Sequence, residues 1–304
     1  MVITVSIQTY NNADTLARTL ESLRQLRSVP GLEYEILVVD NNCTDGTAAV
    51  LDRYAEILSP RFRHVLEREQ GLSHARNRAL HEARGEIVSF LDDDVLVDPG
   101  WLVAVASAFE EHDADIVGGK SYLVYPSEKP AWLTAEYEEL LSRIDYGDQV
   151  IVGIEKQLFG LNFSVRRESA IAAGGFNPAL GRIGGGLGSG EEKDLQDRVA
   201  QAGGVIVYEP RAIVGHIVRP ERLRKGWFVR RVYRGAMSAQ RMRLANGCAE
   251  RSILRLIGRV ARNCGALVVK GLLVPGRGGR HLLKRQLDVV FSAGQLMETI
   301  RYRL

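Results

Sequence analysis

Three carboxylates in a row, Asp92, Asp93 and Asp94, end the apolar run of EIVSFLDDDV. Side chains alternate along an extended strand, which puts Asp92 and Asp94 on one side. Carboxylates that close repel unless a cation sits between them. Mg2+ and Mn2+ are hard ions that prefer oxygen ligands and commonly join one or two carboxylates to a diphosphate. The plainer alternative is an acidic turn that caps the next helix. A second acidic pair, Glu191 and Glu192, opens EEKDLQDRV. A carboxylate at a helix start can take a proton from an attacking hydroxyl. It can also be a first-turn acid favoured by the helix dipole. Two further polar clusters, Thr9-Tyr10-Asn11-Asn12 and Asp40-Asn41-Asn42, each close a β-branched apolar run.

The elements that must position these groups alternate. VITVSIQTY reads as a buried strand, and Leu16, Leu20, Leu23 and Leu26 follow at helical spacing, with Asn11, Asn12 or Asp14 available as a cap. YEILVVD is a second strand, and Asp45-Gly46-Thr47 opens a helix to about Leu58. FRHVLE, a helix from Ser73 to Ala83, EIVSFLDDD and a helix from Asp98 to about Glu111 continue the order. A β-α-β-α-β-α-β succession predicts an α/β fold with a largely parallel sheet and right-handed crossovers. In such sheets ligands bind beyond the carboxyl ends of the strands, where the polar clusters fall. Downstream, ADIVGGKSYLVYP and FGLNFSV read as strands, the latter leading into a helix that stops at Gly174-Gly175. GRIGGGLGSG, residues 181–190, holds six glycines and predicts a mobile loop. A helix over EEKDLQDRVAQ and a last strand, VIVYEP, complete the front portion.

The chain has 304 residues, 45% of them hydrophobic and 25% charged, ample for a sizeable core and unlike a disordered or fibrous chain. Its three cysteines include no C-x-x-C pair, which argues against a disulfide scaffold or a Cys-rich zinc site. MVITVSIQTYNN lacks the basic and apolar regions of a secretory signal, so cytoplasmic residence is expected. The net charge of +3 conceals an asymmetry. Residues 219–304 carry 20 Lys+Arg against 4 Asp+Glu, a net of +16, which leaves −13 for residues 1–218. Segments 221–245, 253–274 and 281–300 have helical patterns, and the purest apolar run, CGALVVKGLLV, is too short to span a bilayer. A basic amphipathic tail of this kind suits a membrane surface or packing on the core or a second copy. No nucleic-acid module is present, and the acidic front would repel a phosphate backbone, so no nucleic-acid partner is expected.

Six stretches in register carry a resemblance: VSIQTYNNADTLARTLESL, EILVVDNNCTDGT, REQGLSHARNRAL, ARGEIVSFLDDDV, FGLNFSVRRESAIAAGGF and GSGEEKDLQDRV. Together they resemble family 2 glycosyltransferases of the GT-A fold and cover about residues 1–218. The resemblance implies a GT-A domain over 1–218 with a basic helical extension over 219–304. It implies an inverting transfer of one sugar from a nucleotide-sugar donor, with UDP favoured, to a hydroxyl of a glycan or lipid-linked acceptor. A divalent cation, Mn2+ or Mg2+, would be the cofactor, and the tail would hold the enzyme at the inner face of the cell membrane. Thr9, Tyr10 and Asn12 would line the base and ribose pocket, Asp40 would accept hydrogen bonds from the base, and Asn42 would shape the turn. Arg76 would lie near the nucleotide or its phosphate. Asp92 would face the ribose or sugar, Asp93 the nucleotide side, and Asp94 the metal, joined by His216 after the last core strand. Glu192 takes the position of the family's catalytic Asp, and the longer side chain leaves Glu191 as the alternative base. The glycine loop would close over donor and acceptor. Asn162, Arg166 and Trp132 fit an acceptor side.

Three rival readings compete. A nucleotidyltransferase would want a Gly-rich phosphate loop with a basic residue after the first strand, and VSIQTYNN has neither. A non-catalytic nucleotide-sugar-binding protein would not need Asp92, Asp94 and Glu192 together. A polymerising synthase of the same family would carry a Q-x-x-R-W signature and several spanning helices, and Arg224-Lys225-Gly226-Trp227 is no match.

Overall fold

Strand and helix alternate from the first residues of a computed structural model that describes residues 1–184, 186–245, 253–273 and 279–303. The order is β1 (Val2–Thr9), α1 (Ala13–Leu23), β2 (Glu33–Asp40), α2 (Thr47–Ile57), β3 (Phe62–Leu66), α3 (Leu72–Glu82), β4 (Ile87–Asp92), β5 (Val95–Val97), α4 (Trp101–His112) and β6 (Ile116–Val124). It continues with α5 (Ala135–Glu138), β7 (Ile151–Val152), β8 (Phe163–Arg166), α6 (Arg167–Ala172), α7 (Glu191–Gln201), β9 (Ile206–Ile217), α8 (Lys225–Ala245), α9 (Ile253–Leu273) and α10 (Gly279–Arg303). The expected helices from 253 and 181–190 loop each include one position, 274 and 185, outside the described residues.

Among the described residues, the strands form one sheet in the order β3-β2-β1-β4-β8-β6-β9-β5, with β7 paired to β9. β3, β2, β1 and β4 run parallel, and so do β6 and β9. β8 runs antiparallel between β4 and β6. Alternation along β2 sends Ile36 and Val38 to one core and Leu37 and Val39 to the other. The first core takes Leu16 and Leu20 of α1, Leu51 of α2 and Trp101 and Val105 of α4. The second takes Ala75 and Ala79 of α3, Ala170 of α6 and Leu195 and Val199 of α7. This is the two-sided helical cover that a mostly parallel sheet requires.

Two details depart from the sequence reading. The last core strand does not stop at Pro210: β9 runs on to Ile217 through a bulge, where the partner of β6 jumps from Gly119↔Glu209 to Lys120↔Ile213. Proline has no N–H to give the ladder, so the bulge absorbs it. His216 therefore lies inside a strand, opposite Val95 of the short strand β5. None of Asn11, Asn12 and Asp14 supplies a side-chain cap to α1. Asp45 does that from the next turn, its Oδ2 accepting from Ala13 N at 3.0 Å.

The chain divides into two compact units. The first comprises Met1–Pro126, Leu141–Gly184 and Glu191–Val218 and contains the whole sheet. The second comprises the described residues of 127–140, 185–190 and 219–304. Within the second, α8 and α9 both pack on α10. Gln240 donates to Thr299 at 2.9 Å, and Arg241 pairs with Glu298 at 2.6 Å. Gly294 permits the close α8–α10 crossing, since a Cβ there would lie 2.6 Å from the Tyr233 carbonyl oxygen. Among the described residues, no helix is long and apolar enough to cross a membrane.

Candidate active site

Register alone lines up the first polar groups. Thr9 pairs with Asp40, and Gln8 with Asp92, so the carboxyl ends of β2, β1 and β4 deliver Asp40, Thr9 and Asp92 side by side. Beyond β4 the chain turns, and Asp93 is gripped from β1 and the turn that follows it. Thr9 Oγ1 donates to its Oδ2 at 2.7 Å and Asn12 Nδ2 to its Oδ1 at 2.6 Å. Burial, then the charge of Asp94, pushes the Asp93 carboxyl up to about 7, against these two hydrogen bonds. Burial and Asp94 also raise Asp92, while Arg76 opposes them.

Asp94 is buried, and Thr19 of α1 fixes the turn after it by accepting from Val95 N at 3.1 Å. His216 Nε2 stands 3.5 Å from Asp94 Oδ1. Its Nδ1 lies 2.6 Å from the carbonyl oxygen of Leu141, an acceptor only, so Nδ1 carries a proton and Nε2 is the ring nitrogen that faces Asp94. A ring held this way by a backbone carbonyl is the usual support of a metal-ligating histidine. Among the described residues, no group of three or more His, Cys, Asp or Glu forms a ready metal cage. Two protein ligands still fit Mg2+ or Mn2+, which leave positions to water and diphosphate oxygens.

The second carboxylate cluster joins the first through one side chain. Arg76 of α3 is 1% exposed. Its Nη1 donates to Glu192 Oε1 at 2.9 Å and to Glu191 Oε1 at 3.1 Å, and Nη2 lies 3.6 Å from Asp92 Oδ1. The Phe90 and Phe176 rings flank the guanidinium, with centroids at 6.0 and 5.3 Å. Burial works against the Arg76 charge, but Glu192, Glu191 and Asp92 outweigh it and hold its pKa above the usual arginine value. Gly160, in the turn before β8, donates its N–H to the same Glu192 Oε1 at 3.1 Å. Glu192 Oε2 takes part in neither bond. Glu191 is buried, its Oε2 has no hydrogen-bond partner, and burial followed by Glu192 pushes its carboxyl up to about 7.

Arg76 was expected beside the nucleotide or its phosphate; its guanidinium is instead enclosed with the two glutamates at the head of α7. Asp40 accepts from Cys43 N at 2.8 Å. Asn42 adopts a left-handed backbone, φ 64°, and bonds the Arg68 carbonyl. Tyr10 is partly exposed beside Gly184. The three residues expected on an acceptor side do not gather there. Asn162 is buried, accepting from Trp101 Nε1 at 2.8 Å and donating to the Ala212 carbonyl at 2.8 Å, so it braces the sheet. Arg166 pairs with Ile87 at the opposite end of β4 and bonds Asp113 at 2.9 Å. Trp132 belongs to the second unit, edge-on to Phe228.

Three contributors had no role assigned from the sequence. Asn41 is buried and stitches β2 to the loop before α3, donating to the Glu67 and Glu69 carbonyls and accepting from Gly71 N. Gly160 gave no signal in the sequence. Arg182 did: it is the only charged residue of GRIGGGLGSG, and its charge acts on both Asp92 and Glu191.

Known proteins agree with this architecture. The profile described as Glycosyl transferase family 2 matches residues 4–173, more than half of the chain. The succinoglycan biosynthesis protein ExoM of Rhizobium meliloti is 24% identical over 97% of this chain and 93% of its own length. A glucosyl-dolichyl phosphate glucuronosyltransferase of Haloferax volcanii is 25% identical over 77% of this chain and 73% of its own. The pre-mycofactocin glycosyltransferase of Mycobacterium tuberculosis is 30% identical over 78% of this chain but only 47% of its own. Among solved structures, a mannosyltransferase from Pyrobaculum calidifontis in complex with GDP-Man and Mn2+ superposes with a TM-score of 0.64 at 20% identity, covering 97% of this chain and 86% of that one. Staphylococcus aureus TarS 1-349 in complex with UDP-GlcNAc gives 0.56 at 18% identity, covering 100% and 92%. The chain belongs to glycosyltransferase family 2 and is a glycosyltransferase of the GT-A fold.

Proposed function

We propose that the chain is an inverting, metal-assisted glycosyltransferase that moves one sugar from a nucleotide-sugar donor to a hydroxyl of a glycan or lipid-linked acceptor. The observation that carries this reading is Arg76, which ties Glu192, at 2.9 Å, to Asp92 at the end of β4, at 3.6 Å. One buried cation thereby sets a potential base at a fixed place relative to the strand-end carboxylates. Thr9, Tyr10, Asn12, Asp40 and Asn42 surround the nucleoside, with Asp93 held between Thr9 and Asn12. Asp94 and His216 hold the divalent ion, which when bound offsets the charge of the leaving diphosphate. Asp92 faces the ribose or the sugar. Glu192 presents Oε2 to the acceptor hydroxyl and takes its proton as the oxygen attacks the anomeric carbon. Arg76 and the Gly160 N–H keep the other oxygen occupied, which fixes the direction of the base. Arg182, which comes from the glycine-rich stretch, meets the diphosphate in the place first assigned to Arg76. That stretch closes over donor and acceptor.

UDP is the favoured nucleotide. The acceptor class follows the relatives named for succinoglycan biosynthesis and for a dolichyl phosphate substrate. Residues 1–218 carry the chemistry. Residues 219–304 hold the enzyme at the cytoplasmic face of the membrane, a reading supported by their charge of +16. The test is release of nucleoside diphosphate from a panel of sugar nucleotides with Mn2+ or Mg2+. Asp94→Ala abolishes cation-dependent donor binding in calorimetry with the fold intact; wild-type affinity would remove Asp94 from the metal site. Glu192→Gln keeps donor binding and slows transfer roughly 10²–10⁴-fold. A larger loss in Glu191→Gln with donor binding unchanged would exchange the two roles.

A further inference from the structure

Helix α9 leaves an apolar stripe in water. Leu254, Ile257, Ala261 and Cys264 recur at steps of three and four residues and so share one face. All four are exposed, Leu254 at 80% and Ile257 at 48%. Gly258 and Gly265, also exposed, lie on the same face and add no polar side chain to it. The opposite face carries the polar groups and turns them inward onto α10. Arg259 donates to Gln295 at 3.1 Å, and Asn263 donates to Ser292 at 2.8 Å and to the Asp288 carbonyl at 3.2 Å. Among the α9 residues whose burial is described, Leu256 is the one fully buried apolar side chain. A soluble helix buries its apolar side and wets its polar one; α9 leaves an apolar stripe wet while Arg259 and Asn263 turn inward.

We propose that the outward face of α9 is a seat for an anionic lipid surface, lying in the interface with Leu254 and Ile257 among the acyl chains. The occupant is chosen by charge. α9 carries Arg255, Arg259, Arg262 and Lys270 and no acidic residue. Arg255 and Arg262 stand seven residues apart, so they fall on one flank of the apolar stripe, and both are exposed. They are placed to reach phosphate groups while the stripe enters the apolar layer. A second copy of α9 on the same stripe would bring arginines against arginines. The inference rests on the reading that residues 219–304 bind the membrane, and adds which face enters it.

The test is co-sedimentation of the full chain with phosphatidylcholine vesicles that contain or lack phosphatidylglycerol, at low and high salt. The wild type pellets with the anionic vesicles, less so as salt rises. Leu254→Glu/Ile257→Glu weakens that binding by roughly tenfold or more, because burying a single large aliphatic side chain is worth about that factor. An independent measurement keeps Leu254 and Ile257 in place. A nitrobenzoxadiazole label on Cys264, in a chain with Cys43→Ala and Cys248→Ala, shifts its emission to the blue on adding anionic vesicles. If the wild type does not pellet, the membrane reading and the inference both fall. If the wild type pellets and the double variant pellets equally, or the label stays unshifted while the protein pellets, the tail still binds membrane but α9 is not its seat. A wild-type dimer that the double variant turns into a monomer, with vesicle binding unchanged, would assign the face to a second copy.

Discussion

Two neighbouring glutamates at the head of α7 sit in different electrical surroundings. Glu192 shares Arg76 with Glu191 but also receives the Gly160 N–H, whereas Glu191 keeps one buried oxygen with no partner. Burial and the neighbouring Glu192 charge raise Glu191 from about 4.5 to about 7. The consequence for stability has a definite sign. Below pH 4.5 folded and unfolded chains both hold the proton. Between 4.5 and 7 only the folded chain does, and above 7 neither does. Stability therefore falls as pH rises through that window, by on the order of 3 kcal/mol at most. Denaturant melts of wild type and Glu191→Gln from pH 5 to pH 8 check this. The stability of the wild type relative to the variant declines over the window; a constant difference would mean that Glu191 titrates in its ordinary range. The acidic residues themselves were legible in the sequence because each cluster stands at a strand end or a helix start. The tie between them was not. A helix arginine reads as solvated until its partners, 115 and 116 residues further on, are known.

Elements position these residues through backbone approaches that only glycine permits. At Gly160 a Cβ would lie 1.9 Å from Arg76 Nη2 and 2.2 Å from Glu192 Oε1. Gly160→Ala must therefore displace the guanidinium or the carboxylate, even though the turn before β8 can itself accept alanine at a φ that is not left-handed. A displacement on the order of 1 Å can cost about 10²-fold in rate, so transfer slows by about that factor. Steady-state kinetics beside a circular dichroism spectrum that matches wild type is the check. Unchanged kcat would show that the Glu192 geometry is unimportant. Adding Arg76→Ala to Gly160→Ala costs far less than the two losses multiplied, since both act on one network. The parallel front of the sheet was readable because β-branched runs and helical leucines alternate with turn signals. The back of the sheet was harder. Pro210 looks like a strand end, and only pairing with β6 shows the strand continuing through a bulge to bring His216 opposite Val95. Gly119 belongs to the same device: a Cβ there would lie 2.0 Å from the Ala212 carbonyl oxygen.

At the scale of the whole molecule, charge and packing draw different boundaries. Charge divides the chain near residue 218, with −13 before it and +16 after. Packing does not, since residues 127–140 group with the tail. The reason lies in aromatic rings that no local pattern reveals. Trp132 and Trp227 meet Phe228 edge-on with centroids at 5.0 and 5.2 Å, and Tyr137 does so at 6.3 Å. Every site residue assigned to the chemistry lies in the first unit, so a chain cut after 218 keeps the active-site side chains. It would lose Phe228, the ring partner of Trp132 and Tyr137, and Trp227 with it. Ring pairs of this kind contribute about 0.5–1.5 kcal/mol each beyond the area they bury, and two large aromatic rings left in water invite association. The expected product of the cut is a protein that still releases nucleoside diphosphate from its donor but aggregates and melts at lower temperature. Light scattering and a thermal melt of the cut chain, with and without Trp132→Ser/Tyr137→Ser, decide the matter. The two serines reduce aggregation of the cut chain while destabilising the full one. If the cut chain is monomeric and melts like the full protein, the rings at 132 and 137 do not depend on the tail.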